Sequence, residues 1–463
     1  MTGLNAFACV DYLIIGSGPR ALAFADALIR DSNVRVALVD RNTTPGGAWE
    51  ETYDFAHVAP FTPSFGALSQ PLRTWLAARP LVRPGPRPCA RRRQVLTYFD
   101  SLVHTTLLAS DRVLYFPQSV WADSGQVHSL SSGTSQTINV HRKIVDATDS
   151  TPPRPYPHVR CFSSAPDIKI INPFEVSSIC TETSERFAHY CVIGAGKTAM
   201  DTATFLMAIG IAPEGISWVK PRDSWLLSRP APGLQQGVPT RAAAALAALE
   251  TAHTPTDLCL RLEQIGSLTR IFQDMTPTMF HSATSSAPQI SALRLLPHVI
   301  RKGHVQNISN LGMVLDTGAE PMPADTLYID CTAGVPSGQT PGAIFQTTRI
   351  RLQDTCIAQP SLSAAMIAAV ERLCLSDAEK NEILKPLPRM GEPSDFVAML
   401  LCELRNLTAW AEKTNGASSQ LGRTLRRDSL TGKIVHHERF QARWPSIARN
   451  LQRLYDQSMA VLS

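Results

Sequence analysis

No run of 18 apolar residues occurs in the 463-residue sequence, so no membrane-spanning helix is expected. No basic stretch followed by a long apolar one opens it, and a secretory leader is not expected either. Its ten cysteines (9, 89, 161, 180, 191, 259, 331, 356, 374 and 402) form no CxxC pair and no metal-ligand spacing. That argues against a redox dithiol or a zinc site and suits a reducing, cytoplasmic setting. Charge is nearly balanced, 44 Lys and Arg against 39 Asp and Glu, net +5. The densest basic run, ARRRQ around Arg91, Arg92 and Arg93, lacks the interleaved aromatics of a nucleic-acid stacking platform and reads as a solvated helix start. Nucleic acid and membrane are therefore not expected partners. An apolar share of 44% and a charged share of 18% are globular values, and the length allows two or three domains.

Glycine-rich turns are present, and one comes at once. In YLIIGSGPRALAFADAL, residues 12–28, an apolar strand runs into Gly16-Ser17-Gly18 and then a helix. Pro19 suits the first helical turn, where its missing N–H has no partner to lose. Gly16 permits the turn, Gly18 lets backbone approach a ligand, and Ala21 lets helix and strand pack closely. The helix start, with Arg20 beside it, would face an anion such as a pyrophosphate. A second apolar run, VRVALVD, ends at Asp40, 24 residues after Gly16, where a carboxylate accepts hydrogen bonds from a ribose hydroxyl; Arg41 follows it.

The pattern returns at residues 190–201 as YCVIGAGKTAMD. Gly194 and Gly196 take the places of Gly16 and Gly18, and Ala199 that of Ala21. Lys197 and Thr198 are candidates for a second pyrophosphate. Trp218 lies 24 residues after Gly194 and so aligns with Asp40, and Lys220 and Arg222 follow in WVKPRDSW. No carboxylate precedes these cations, and a guanidinium can grip a 2′-phosphate in a fork. The first turn therefore suits FAD and the second NADPH.

Two such turns about 180 residues apart resemble the two-dinucleotide-binding flavoproteins, in which an NADPH domain is inserted into an FAD domain. TPGGAWE at 44–50 resembles the GGxW segment of flavin-containing and Baeyer–Villiger monooxygenases, which implies that Gly47 and Trp49 lie beside the flavin. VLYFPQSVWAD resembles the strand whose backbone, near Val120, meets the adenine. KIVDATD and LYIDCTAG resemble the segments closing each domain crossing; Gly334 keeps their glycine, and Asp149 replaces it in the first. GAGKTAMD, WVKPRDSWLLSR, IDCTAG and QPSLSAAMIAAVE together resemble a bacterial family of FAD/NAD(P)-binding proteins. The FxGxxxHxxxWP fingerprint of Baeyer–Villiger enzymes is absent.

The resemblance implies an α/β fold of two Rossmann-like domains. Residues 1–150 would begin the FAD domain, 151–324 would form the NADPH domain with a helical insertion, and 325–463 would complete the FAD domain and add helices. Two helical segments broken near Thr254-Pro255 would cap the NADPH domain or the cleft. Helices at 361–375, 394–413 and 442–457 would pack on the FAD domain or over substrate. The implied activity is NADPH-dependent oxygenation of a small organic molecule by dioxygen through a C4a-peroxyflavin. His57 and Arg73, which follow the GGxW segment, are the candidate catalytic residues. Trp225 and Arg229 are candidates for the nicotinamide side. An FAD-dependent dehydrogenase or oxidase, or a non-catalytic nucleotide-binding protein, are the competing readings. The sequence leaves substrate and oligomeric state open.

Overall fold

Short apolar runs of period one, followed by glycine, become strands buried on both faces, and such strands assemble in parallel. The computed structural model describes residues 9–58, 65–78, 90–148, 160–182, 187–229, 238–332, 341–388, 391–414, 419–428 and 430–462. Asp149, Gly334 and Cys89 lie outside them. In one five-stranded sheet the order is Arg349–Arg351, Asn139–Asp146, Cys9–Ile15, Val36–Val39, Val113–Phe116, every pair parallel. In another it is Ile170–Ile171, Thr326–Asp330, His189–Ile193, Ile216–Val219, His298–Ile300, again all parallel. A glycine turn and helix follow the central strand of each: Pro19–Arg30 in the first, Lys197–Ala208 in the second.

The two units match bond by bond. Gly16 donates its amide to the Val39 carbonyl at 2.7 Å, and Gly194 to that of Val219 at 3.0 Å. Asp40 donates to Phe116 at 3.0 Å, and Lys220 to Ile300 at 2.9 Å. This ladder corrects the alignment of Trp218 with Asp40 by equal spacing. The second connection is two residues longer, so Lys220 occupies the position of Asp40. Trp218 lies inside its strand, fully buried, its indole N–H donating to the Gly194 carbonyl at 2.7 Å. Asp146 and Asp330 end equivalent strands, and each accepts from the amide and hydroxyl of the threonine two residues on, Thr148 and Thr332.

Thr326–Asp330 pairs with His189–Ile193 in the second sheet. The chain therefore returns to the first sheet after residue 332, by Arg349–Arg351, and not at 325. The hairpin of Gly312–Leu315 and Gly318–Glu320 also belongs to the second unit, pairing through Val305–Ser309.

The expected helices at 240–273 are Val238–Thr251 and Pro255–Gln264, the second started by the Thr254 hydroxyl accepting from the Asp257 amide at 3.0 Å. The second packs on Leu268–Thr269, which pairs with Ser224–Arg229, and both reach the C-terminal helices. Val238–Thr251 packs on the C-terminal helix Phe440–Leu462, where the Asn450 amide group donates to the carbonyls of Leu249 and Ala252. Leu246, Leu249 and Leu262 share a hydrophobic cluster with the first unit's Phe24 and with Leu404 and Leu451. Their apolar stripes needed an apolar partner, and the C-terminal helices supply it. Among the described residues no helix is long and apolar enough to cross a membrane.

One buried acid sits in this helical region. Glu403, on Pro393–Thr414, is 1% exposed and accepts from the Thr431 hydroxyl at 2.9 Å and from the Ile357 amide. Burial pushes its carboxyl up to about 7 from an ordinary 4.5. A raised carboxyl pKa means that the unfolded chain loses this proton first. Its contribution is therefore full below pH 4.5 and declines as pH rises to about 7. Denaturant midpoints should fall across that window by an amount worth about 3 kcal/mol. Glu403→Gln should flatten the slope, and an unchanged profile would remove Glu403 as its source.

Candidate nucleotide-binding clefts

Between the first glycine turn and the sheet's carboxyl edge lies a cleft of about 640 Å³. Gly16, at φ +104°, makes a bend that L side chains resist. Gly18 ends the turn as the extended residue before the helix, leaving the first amides of Pro19–Arg30 without intrahelical acceptors. The GGxW turn closes on it from above. A Cβ on Gly47, at φ +56°, would stand 2.8 Å from the Gly18 Cα, so only glycine allows the approach. Arg92 fastens this turn, donating to the carbonyls of Trp49 at 3.0 Å and Glu50 at 2.5 Å. The basic run read as a solvated helix start thus contains a clamp, whose partners are two carbonyls and the Asp54 carboxylate, all distant in sequence.

Gly16, Gly18, Pro19, Arg20, Asp40 and Arg41 all line the cleft, as do Gly47, Trp49 and Val120. Ser17 is fully buried and does not line it. It donates its amide and hydroxyl to Asp40 Oδ2 at 2.5 and 2.7 Å, while Asn42 donates its amide to Oδ1 at 2.8 Å. The carboxylate is therefore held in place with accepting capacity to spare. Arg20 lines the wall through a forked pair with Asp354 at 2.8 and 3.3 Å. Sequence reasoning missed Asn42, Trp121, Thr148 and Pro360, which also line the cleft. Thr148 carried a signal, the repeated Asp-x-Thr; Pro360 arrives from a helix with no local link to the turn.

The two candidate catalytic residues lie outside these walls. His57 is half-buried in a two-stranded pairing with Arg91, its Nδ1 3.4 Å from the Phe55 carbonyl. Arg73 is exposed on the helix Leu72–Ala77.

In the second unit Gly194, at φ +130°, leaves no room for a side chain: a Cβ would meet the Cys331 carbonyl at 2.8 Å. Gly196 differs, with nothing within 4 Å of an added Cβ and an exposed position at the helix start. Lys197 forms an ion pair with Asp201 and donates to Gln289 at 3.3 Å. Asp201 also accepts from Gln289 at 2.7 Å and from the Tyr53 hydroxyl at 2.7 Å. Burial, then the Asp201 charge, drives the Tyr53 phenol pKa far upward, so it stays a donor. Half-buried Thr198 bonds the same phenol. The ring of Phe55 stacks on Phe205, centroids 4.4 Å apart. The segment leaving the first cleft thus packs on the second unit's helix.

Lys220 is 1% exposed and ion-paired with Asp223, whereas Arg222 is at the surface, 2.9 Å from Glu392. Trp225 is fully buried in the hydrophobic core, with the Arg270 guanidinium 5.6 Å over its ring. Its strand, Ser224–Arg229, lies between two others. Arg229 ends that strand.

Residues 13–133 match a family model described as FAD-NAD(P)-binding. Uncharacterized proteins of Mycobacterium tuberculosis and Mycobacterium bovis are each 34% identical over 404 residues, covering 86% of this chain and 74% of theirs. Among solved structures, the polycyclic ketone monooxygenase of Thermothelomyces thermophila shares the fold. It does so with a TM-score of 0.52, 13% identity, 98% of this chain covered and 89% of that one. By its 34% identity over 86% of its length, the chain belongs to the family of those mycobacterial proteins.

Proposed function

We propose that the protein is an FAD- and NADPH-dependent monooxygenase that oxygenates a small organic molecule with dioxygen. The observation that carries this reading is the Trp49-to-His57 segment. It starts in the wall of the first cleft and packs, through Tyr53 and Phe55, on the helix that follows the second glycine turn. Two nucleotide sites joined this way favour electron transfer between their occupants.

The residues fit the groups. The Gly18–Gly47 contact makes a floor that a Cβ would fill, and the amides beginning Pro19–Arg30 suit a pyrophosphate. Asp40 is set to accept from an adenosine ribose. At the second turn, the open face of Gly196 admits another pyrophosphate, beside Lys197. The bound flavin would supply hydride acceptance and oxygen activation. The chain's part is to bind, orient and exclude water. Trp49 and Trp121 wall the first cleft. His57 and Arg73 are kept as proposed residues for work at the flavin, although neither lines the first cleft.

Purified protein should be yellow, bleach with NADPH without air, and transfer one oxygen to product when air and substrate are supplied. Stoichiometric hydrogen peroxide with every substrate tried would favour an oxidase. A colourless protein that binds no flavin would leave only the interaction-protein reading. Asp40→Ala should weaken FAD retention by about 1.5–3 kcal/mol, roughly tenfold or more, through loss of a charged acceptor. Flavin content after extensive dialysis measures it; wild-type content would detach Asp40 from the ribose.

A further inference from the structure

We propose that Asp223 is a specificity-determining residue of the second nucleotide site. Its carboxylate occupies the anion position between Lys220 and Arg301, and a dinucleotide 2′-phosphate has to displace it. This rests on the second unit binding a nicotinamide dinucleotide.

The argument begins with the backbone ladder. Lys220 follows Val219 as Asp40 follows Val39, so its side chain starts where the first unit addresses an adenosine ribose. Arg301 follows the neighbouring strand His298–Ile300, whose last residue accepts the Lys220 amide. Two cations therefore leave adjacent strand ends at the position that senses the 2′-substituent. Asp223 bridges them. Its Oδ1 pairs with Lys220 Nζ, and its Oδ2 accepts from Arg301 Nε at 3.1 Å. Each oxygen takes one cation, the arrangement a phosphate would adopt between the same donors.

Access is graded. Lys220 is 1% and Asp223 6% exposed, while the Arg301 side chain is 29% exposed. The Arg301 guanidinium lies 4.7 Å over the Phe272 ring and Lys220 Nζ 5.8 Å from it. Of the three side chains Arg301 is therefore the one that meets solvent, with Asp223 and Lys220 behind it. Arg222, the cation that the sequence offered most openly, stands outside and is held by Glu392. A carboxylate already seated between two cations cancels much of their field. It lowers affinity for an incoming 2′-phosphate without touching the rest of the nucleotide.

The test is calorimetric titration of the FAD-loaded protein with adenosine 2′,5′-bisphosphate and with adenosine 5′-monophosphate. Asp223→Asn keeps the side chain's shape and removes its charge. It should tighten the bisphosphate about tenfold or more and leave the monophosphate within about twofold. Arg301→Met, which leaves the Lys220–Asp223 pair intact, should weaken the bisphosphate about tenfold and spare the monophosphate. The second variant keeps the test open if an unpaired buried lysine prevents Asp223→Asn from folding. An unchanged ratio of the two affinities in Arg301→Met, or in a folded Asp223→Asn, would overturn the proposal alone. If FAD-loaded wild type binds neither probe, the second-site reading falls and takes the proposal with it.

Discussion

Gly47→Ala should yield a folded protein that does not keep FAD. The added Cβ would stand 2.8 Å from the Gly18 Cα and 3.4 Å from its amide nitrogen. Those neighbours are backbone, so no side chain can swing aside. The left-handed φ of +56° adds about 1–2 kcal/mol for any residue with a Cβ. The GGxW turn and the glycine turn would then move apart, and the floor proposed for the pyrophosphate is the surface between them. Retention should fall about a hundredfold, near 2.7 kcal/mol, read as flavin absorbance per protein after gel filtration. Gly133→Ala is the control. It has a positive φ of +71° with nothing within 4 Å of an added Cβ, so it carries the backbone penalty without the contact. Equal flavin loss in both variants would defeat the steric account.

The second unit offers a sharper contrast, because its two glycines are constrained by different things. Gly194→Ala should destabilise the fold. Its Cβ would press on the Cys331 carbonyl at 2.8 Å from a φ of +130°, and about 3 kcal/mol is reasonable for strain and contact together. Gly196→Ala should leave stability nearly alone, since φ is −84° and an added Cβ meets nothing within 4 Å. Its effect should instead be a rise of about tenfold or more in KM for NADPH, from a methyl group placed where a pyrophosphate approaches. Melting curves and cofactor titrations on the two variants separate the roles. A Gly196→Ala protein with wild-type NADPH affinity would mean that no ligand comes near that backbone.

What could be read in the sequence was local. A strand, a glycine turn and a helix start are contiguous, so YLIIGSGP and YCVIGAGK declared themselves without tertiary information. The caps behaved likewise: Thr254-Pro255 broke one helix and began the next through the Thr254 hydroxyl. Register between distant strands was harder. Equal spacing made Trp218 the partner of Asp40, because a count cannot see that one connection is two residues longer; only the ladder reveals Lys220. The fate of charges was hidden for the same reason. Arg92 clamps carbonyls about 40 residues away in sequence, and Arg301 meets Asp223 across 78 residues. Helical periodicity announced the stripes of Val238–Thr251 and Phe440–Leu462 but not that they face each other. A stripe states that an apolar partner exists, and chain topology decides which.

That last pairing bears on how freely this architecture can be recombined. Val238–Thr251 and Pro255–Gln264 are encoded within the inserted stretch, yet they complete the hydrophobic interior shared by the first unit and the C-terminal helices. Cutting out the insertion to isolate a minimal flavin domain would strip Leu246, Leu249 and Leu262 from that interior. It would also bare the facing surface of Phe440–Leu462. Exchanging the insertion for that of another protein would demand a matching C-terminal helix as well. The two nucleotide units resemble interchangeable cassettes, but the chain has been sewn so that neither can be swapped alone.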